Sequence, residues 1–595
     1  MAVPRRDLER DIPPVSDTPS TADAPPSRRR LQSVRPTVFW PALAILAVVV
    51  VVSIAFPERT GDAFSAAQEE VIGVFGWYYS LIVTGFVIFA IWVAVGRFGD
   101  IRLGPDDEGA EYGFLVWFSM LFAAGMGIGL VFWGAAEPLN FYTSPKPGVE
   151  GDDVELAHAA MSQTFLHWGL HAWAIYVVVG LALAYAIHRK GRSVSLRWVL
   201  EPLLGDRVKG GLGDAIDVVA IVGTIAGVAT SLGLGVSQIG AGLESLGVVD
   251  EAGTPLLVLL IVLISVAATA SVVSGLDKGI KWLSNINLGM AGIFVVALLL
   301  LGPTLFVLRS FVENVGEYLF TIVPNSFDTS AFFGEEGQEW QGLWTTFYWG
   351  WWMSWAPFVG VFIARISRGR TVREFVAGVL LVPTTVSAIW FSILGGSAIY
   401  REKFGDGGLL DADGSVTSES VLFRLVGDLP GGTLLSGLAI VLVAIFFVTS
   451  SDSGSLVVDM LASGGDTDPP RWSRVLWCVI EALVAIGLLV AGGLGALQTG
   501  AILTALPFSV IMVAMCVALY KAFKAEYTEI RRLDLKARRK VLADEVGETV
   551  TSDLVANFED HFGDQVDQRI DERVEDKLGM TGEIPVVSAE SDSRR

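Results

Sequence analysis

Apolar positions in this chain run in long unbroken blocks. They fall at about 38–56, 74–95, 113–134, 158–187, 213–243, 254–274, 285–309, 341–364, 374–399, 434–461, 473–494 and 499–522. Many come close to the ~20 residues that an α-helix needs to cross a bilayer. Lipid offers the backbone no hydrogen-bond partner, so each block predicts a helix that satisfies its own backbone groups. The pattern predicts an all-α membrane protein with twelve spanning helices. Residues 1–37, rich in Pro, Asp and Arg and without an early apolar core, read as a disordered tail, not a cleavable leader. Residues 38–112 hold the first two helices, 311–340 connect the seventh and eighth, and 525–595 form a charged tail.

The polar positions between blocks give an orientation. Arg28, Arg29, Arg30 and Arg35 precede the first block, Arg189, Lys190, Arg192, Arg197, Arg207 and Lys209 follow the fourth, and Arg365, Arg368, Arg370 and Arg373 follow the eighth. The alternate loops are acidic: Glu69 and Glu70, then Glu150, Asp152, Asp153 and Glu155, then Glu335, Glu336 and Glu339. Basic loops stay cytoplasmic, which predicts both termini inside the cell membrane.

Composition agrees with the pattern: of 595 residues, 52% are hydrophobic and 18% charged, with a mean hydropathy of +0.55. The net charge of −21 resides largely outside the blocks and gives no case for nucleic-acid binding. Arg531, Arg532, Lys536, Arg538, Arg539 and Lys540 form a juxtamembrane cluster suited to anionic lipid. From Asp544 to Asp576 acids dominate, with Leu554, Phe558 and Phe562 at roughly helical spacing, which reads as a solvated helix or a regulatory tail. Cys478 and Cys516 imply no disulfide framework.

The chemistry begins with WTTFYWGWWMSWAPF, residues 344–358. Trp340 and Trp344 fit an interfacial aromatic belt. Trp351, Trp352 and Trp355 lie about 15–21 Å further in, near the middle of a ~30 Å core, where a belt cannot explain them. In FLHWGLHAWAIY, residues 165–176, Trp168, Trp173 and Tyr176 fall within an arc of roughly 140° on one helix. Packing against neighbouring helices is one reading of both sets. The other is a cation box, because ring faces are negative and suit a quaternary ammonium that has no N–H to donate. In AAGMGIGL, residues 123–130, Gly125, Gly127 and Gly129 alternate. Close helix packing would use such residues. So would a broken helix whose N–H groups meet an anionic group. Box and broken helix together predict a zwitterion.

GMGIGL, FLHWGLHAWAIY and FYWGWWMSWAPFVGVFIARISRGR closely resemble the betaine–choline–carnitine transporter family, over about residues 38–524. The resemblance implies a neurotransmitter:sodium symporter-like fold, in which residues 113–310 and 341–524 are inverted five-helix repeats, and a homotrimer. By the resemblance, Trp168, Trp173, Tyr176 and Trp352 match the central box, and Trp351 and Trp355 match rings on the cytoplasmic path. FFVTSSDS, residues 446–453, supplies the hydroxyls of Thr449, Ser450, Ser451 and Ser453, which either bond back to their helix or face a hard cation. The resemblance makes Thr449 and Ser450 side-chain ligands of the principal sodium site, with backbone from Ala123, Met126 and Phe446. A second sodium site matches at Thr224 and Phe358, but its other threonine is Val228 here. Either water or Thr230 replaces that oxygen, or one sodium binds. Asp452 is an intramembrane carboxylate and so a functional candidate, or else a helix-end residue paired with a basic loop.

Rival chemistries are weaker. His167 and His171 stand four apart as a metal pair would, but the segment lacks the Glu of HExxH and no further ligand is positioned. The tenth block offers serines but no histidine to activate one, so no hydrolase is indicated and no cofactor beyond Na⁺ is expected. A channel would want repeated polar rings along a pore. The expectation is sodium-coupled uptake of glycine betaine or a related solute by alternating access. The alternatives are ectoine uptake, choline uptake and sodium-independent carnitine exchange. Exchangers are expected to carry methionine where this chain has Val359, and choline carriers read GMGIDL, with aspartate at the position of Gly129.

Overall fold

The computed structural model describes residues 34–125, 127–274, 277–558 and 562–579. The expected N-terminal tail and Met126 lie outside these residues, and of Ala123 and Gly125 only the helical backbone is described. Most of the described residues are helical, and among them the one β-bridge joins Arg102 and Thr371. The chain divides into two compact units at Lys521 and Ala522.

The first unit opens with α1 (Pro36–Ala55) and α2 (Pro57–Val95). The third apolar block is two helices, α3 (Phe114–Gly125) and α4 (Ile128–Thr143). The fourth is also broken, into α5 (Asp153–Trp168) and α6 (Leu170–Ala184), and a π-turn follows at Tyr185–Arg189. Asp152 and Glu155 start α5 with a reciprocal capping box. Gly169 makes the break between α5 and α6, because a Cβ there would stand 2.4 Å from the carbonyl oxygen of Phe165. After the short α7 (Glu201–Leu204) come α8 (Gly211–Ser245), α9 (Thr254–Ser274) and α10 (Asp277–Leu301).

The seventh block does not run on to residue 309. It stops at Leu301, and α11 (Thr304–Phe327) turns away by 108°. Gly302 and Pro303 end α10, since proline cannot continue a helix and disfavours helical geometry before it. The expected connection 311–340 is therefore largely helical, in α11 and the start of α12 (Gly334–Gln341). A π-turn at Gly342–Thr346 leads into α13 (Phe347–Ile366), followed by α14 (Val372–Phe404), α15 (Val421–Gly427) and α16 (Gly432–Ala462). The helical run α17 (Arg471–Phe558) kinks at Gly492 and Gly493. Gly493 has φ 62°, which favours glycine. Beyond the unit boundary, α17 continues to Phe558 and α18 (Asp564–Gly579) follows.

Eight described helices are long and apolar enough to cross a membrane, or nine if the bent α10–α11 pair is one span. Three expected spans escape that criterion for physical reasons. The third is split at Gly127, the tryptophans of α13 lower its hydropathy, and the last two share one helical run. Burial then ranks the helices. The apolar windows of α5–α6 and of α8 are each 89% buried, against 33% for α1 and 17% for α9. The centre is thus α6 and α8 with α13 between them, and α14 and α16 close its sides. Small residues let these helices approach: a Cβ on Gly360 of α13 would lie 2.6 Å from Val179 of α6.

Candidate functional site

A cavity of about 290 Å³ opens where α4, α6, α13 and α16 converge. Its wall holds Trp168, Trp173, Tyr176, Trp351, Trp352 and Trp355 from the two aromatic motifs. Gly127, Gly129, Phe358, Phe446, Thr449 and Ser450 line the same space. The structure thus brings together twelve of the sixteen candidate residues. Thr224 stands apart, and Ala123, Gly125 and Met126 are those whose side chains or placement fall outside the description.

The rings form a framework of edges and faces. Trp168 meets Trp352 edge-on at 4.8 Å between centroids, Tyr176 meets Trp352 at 6.3 Å, and Trp173 meets Tyr176 at 5.2 Å. Trp351 stacks on Trp352 at 4.6 Å and 16°. Two of the stacked rings have their polar edges tied down. Trp352 Nε1 donates to the His167 carbonyl at 2.9 Å, a group near the α5–α6 break, and Trp351 Nε1 donates to Ser231 Oγ at 3.2 Å. With those two N–H groups engaged, Trp351 and Trp352 turn apolar, electron-rich faces to the cavity, as a quaternary ammonium requires.

The broken third span supplies the opposite pole. Gly127 caps α4 in an extended conformation without a side-chain cap. The first backbone N–H groups of α4 thus lack an intrahelical partner, at the positive end of the helix dipole and beside Gly127, Gly129 and Leu130 on the cavity wall. A Cβ on Gly129 would stand 2.7 Å from Trp351 and 2.8 Å from Trp168, so glycine is what lets this helix end meet the rings.

Glu137 was missed from the sequence. It is fully buried on α4 and accepts from Trp168 Nε1 at 2.6 Å and Tyr348 Oη at 2.5 Å through one oxygen. Its other oxygen lies 2.7 Å from His167 Nδ1. With Nδ1 donating, His167 Nε2 accepts from Gln163 and Thr345, at 3.0 and 3.1 Å. His167 is therefore spent on orienting this network, and His171 pairs with Ser326 at 2.9 Å. Among the described residues no group of three His, Cys, Asp or Glu side chains can hold a metal ion. The signal for Glu137 was a lone carboxylate in WGAAEPLNFY inside an apolar block. Asn287 was missed too: it lines the cavity, is buried, and leaves its Oδ1 without a hydrogen-bond partner.

The hydroxyl cluster behaves in two ways. Thr449 Oγ1 donates to its own helix, to Ile445 O at 3.0 Å and Phe446 O at 3.2 Å, which leaves its lone pairs free to face a cation. On α8, Thr224 is buried and donates to Ala220 O at 2.7 Å. Thr230, the option for the oxygen missing at Val228, is not among the residues that line the cavity. Its hydroxyl bridges Ala226 O and the distant Leu497 O, at 2.9 and 2.8 Å, and tethers α8 to α17. Trp340 and Trp344, the expected belt residues, pack against other rings. Trp340 is buried against Phe141, and Trp344 packs on Phe141 and Trp133.

Residues 37–528 match the family described as BCCT, betaine/carnitine/choline family transporter. The chain belongs to this family. It is 43% identical over 498 residues to the glycine betaine transporter OpuD of Bacillus subtilis, covering 84% of this chain and 96% of that one. It is also 43% identical over 498 residues to glycine betaine transporter 1 of Vibrio parahaemolyticus, covering 82% and 94%. An uncharacterized transporter of Mycobacterium tuberculosis is 51% identical over 509 residues, covering 84% and 85%. The chain is a multi-pass helical membrane transporter and not an enzyme.

Proposed function

We propose that this transporter takes up glycine betaine or a closely related quaternary-ammonium zwitterion, coupled to Na⁺, by alternating access around the aromatic cavity. The observation that carries the reading is the pairing of two poles in one small space. The ring box of Trp168, Trp173, Tyr176 and Trp352 faces the uncapped N-terminus of α4 across Gly129. The box suits the trimethylammonium and the helix end suits the carboxylate. A bare cation would leave the positive helix end unmatched, so choline fits less well. Sodium is assigned to Thr449, Ser450 and the carbonyl of Phe446, which share the cavity wall, with Ala123 and Met126 taken from the family resemblance. A second ion at Thr224 and Phe358 lacks the oxygen that Val228 does not supply, which favours one sodium per cycle. Each Na⁺ moving inward at −100 mV contributes ~2.3 kcal/mol, enough for roughly 50-fold accumulation.

Around this site we place twelve spans, with residues 113–310 and 341–524 as inverted repeats and 38–112 as two peripheral helices. The termini are cytoplasmic, the protomers form a trimer, and the basic segment after residue 530 meets anionic lipid. Val359 lies on the cavity wall, where a sodium-independent exchanger would carry methionine, which supports an ion-coupled mechanism. Binding of glycine betaine by the purified protein, strengthened by Na⁺ but not by K⁺, tests the reading. Binding that ignores Na⁺ refutes the coupling.

A further inference from the structure

A second cavity, of about 310 Å³, lies between the α4–α5 loop, α5 and α11. Phe141, Lys146, Glu155, Glu317, Asp328 and Trp340 line it, with His158. The Lys146 side chain is only 8% exposed. Its Nζ pairs with Asp328 Oδ2 at 2.8 Å and sits 5.3 Å from the centre of the Trp340 ring. From that ring an aromatic ladder runs inward. Trp340 contacts Phe141 at 5.4 Å, Phe141 contacts Trp344 at 4.7 Å, and Trp344 contacts Trp133 at 5.4 Å. Trp133 then meets Tyr348 at 6.0 Å, and Tyr348 meets Trp352 of the box at 5.8 Å. The ladder thus joins two cavities, and an ammonium belonging to the protein itself occupies its far ring.

We propose that Lys146 is a charge filter: it holds the cation position on Trp340, so a bare quaternary ammonium finds that position taken and like-charged, whereas a zwitterion brings a carboxylate the lysine can bind. The proposal rests on the reading that the substrate is a zwitterion. Among the described residues Lys146 is the sole lysine or arginine on this wall, while Glu155, Glu317 and Asp328 are acids. Without its ammonium, a cavity with an aromatic ring and three carboxylates would collect cations. The other groups around it do not replace that charge. Glu155 is used in the α5 capping box, and His158 faces Glu313 at 3.6 Å. Burial holds the Lys146 ammonium below the ordinary lysine value, against the pull of Asp328. As pH rises, Lys146 therefore loses its charge before exposed lysines do, and the filter weakens in the alkaline direction.

Tetramethylammonium is the probe, because it carries the cation without a carboxylate. Its binding to the full-length protein in detergent is measured by titration calorimetry. Lys146→Met keeps the stem and removes the charge, and should tighten binding by roughly 10-fold, the size of a partly desolvated cation–π contact. Lys146→Arg should bind as the native protein does, and adding Trp340→Leu to Lys146→Met should cancel the gain. In the native protein, raising the pH from ~7 to the ordinary lysine value of ~10.4 should tighten binding, and Lys146→Met should be flat over that range. The pH series tests the filter even if Lys146→Met does not fold. Equal binding by native and Lys146→Met, or a pH series on the native protein that is flat, overturns the proposal. A native protein that does not bind glycine betaine at all in the same preparation refutes the substrate reading instead, which distinguishes the two failures.

Discussion

Replacing Gly129 by alanine places one methyl group between the α4 N-terminus and the tryptophan rings. The new Cβ would stand 2.7 Å from Trp351 Cη2 and 2.8 Å from Trp168 Cη2. Carbon atoms in comfortable contact are ~3.5–4.0 Å apart, so a ring must retreat by about 1 Å. Neither ring is free to do so. Trp168 is held by Glu137 at 2.6 Å, and Trp351 stacks on Trp352 at 4.6 Å and Phe347 at 5.5 Å with its N–H on Ser231. Overpacking of this kind costs ~1–3 kcal/mol. If the strain falls on the substrate-bound box, glycine betaine affinity drops roughly 5- to 150-fold. Gly129→Asp adds a charge to the same steric load. A carboxylate there repels the carboxylate of betaine and compensates the unpaired charge of choline. Relative to Gly129→Ala, Gly129→Asp should therefore bind betaine more weakly and choline more tightly. Tryptophan fluorescence titrations of the purified variants with both ligands measure each half. Native-like betaine affinity in Gly129→Ala refutes the steric argument, and identical choline affinities in the two variants refute the electrostatic one.

Three further outcomes follow from the same geometry. Trp352→Leu keeps apolar bulk but removes a ring face, and should cost up to ~2 kcal/mol, about 30-fold in betaine affinity; unchanged affinity would take the ring out of the site. Glu137→Gln sets an amide N–H against either Trp168 Nε1 or His167 Nδ1, and a buried donor left without its acceptor, at ~1–3 kcal/mol, should weaken betaine binding about 5- to 150-fold. The same variant should alter the tryptophan emission of the empty protein, and a native spectrum with native affinity would show that Glu137 does not orient the box. Thr449→Ala combined with Ser450→Ala should raise the sodium concentration for half-maximal betaine binding; an unchanged sodium dependence would move the ion elsewhere.

The sequence carried the box because its signals are local. Tryptophan in the middle of a spanning block is costly to explain as a belt, and Trp168, Trp173 and Tyr176 lie in one apolar block, so their spacing groups them although α5 ends at Trp168 and α6 carries the other two. The break before α4 was also legible, since Gly127 and Gly129 cost helix stability in a segment that could have used alanine. Contacts between distant segments were not legible. Nothing near Thr230 reveals that its hydroxyl reaches Leu497, 267 positions away. Glu137 could be seen as an intramembrane carboxylate, but its role depends on Trp168, 31 positions on, and Tyr348, 211 positions on. The helix α11 was missed for a different reason. Arg309, Glu313 and Glu317 interrupt its apolar residues, so a hydropathy reading takes the segment for a connection.

The central claim is uptake of a zwitterion driven by sodium. Radiolabelled glycine betaine uptake into proteoliposomes, with Na⁺ outside and K⁺ inside, tests it most directly. The account predicts accumulation above the external concentration that collapses when the sodium gradient is abolished, and excess unlabelled choline should compete poorly. Uptake that persists without sodium and requires an internal betaine or carnitine to exchange would contradict it.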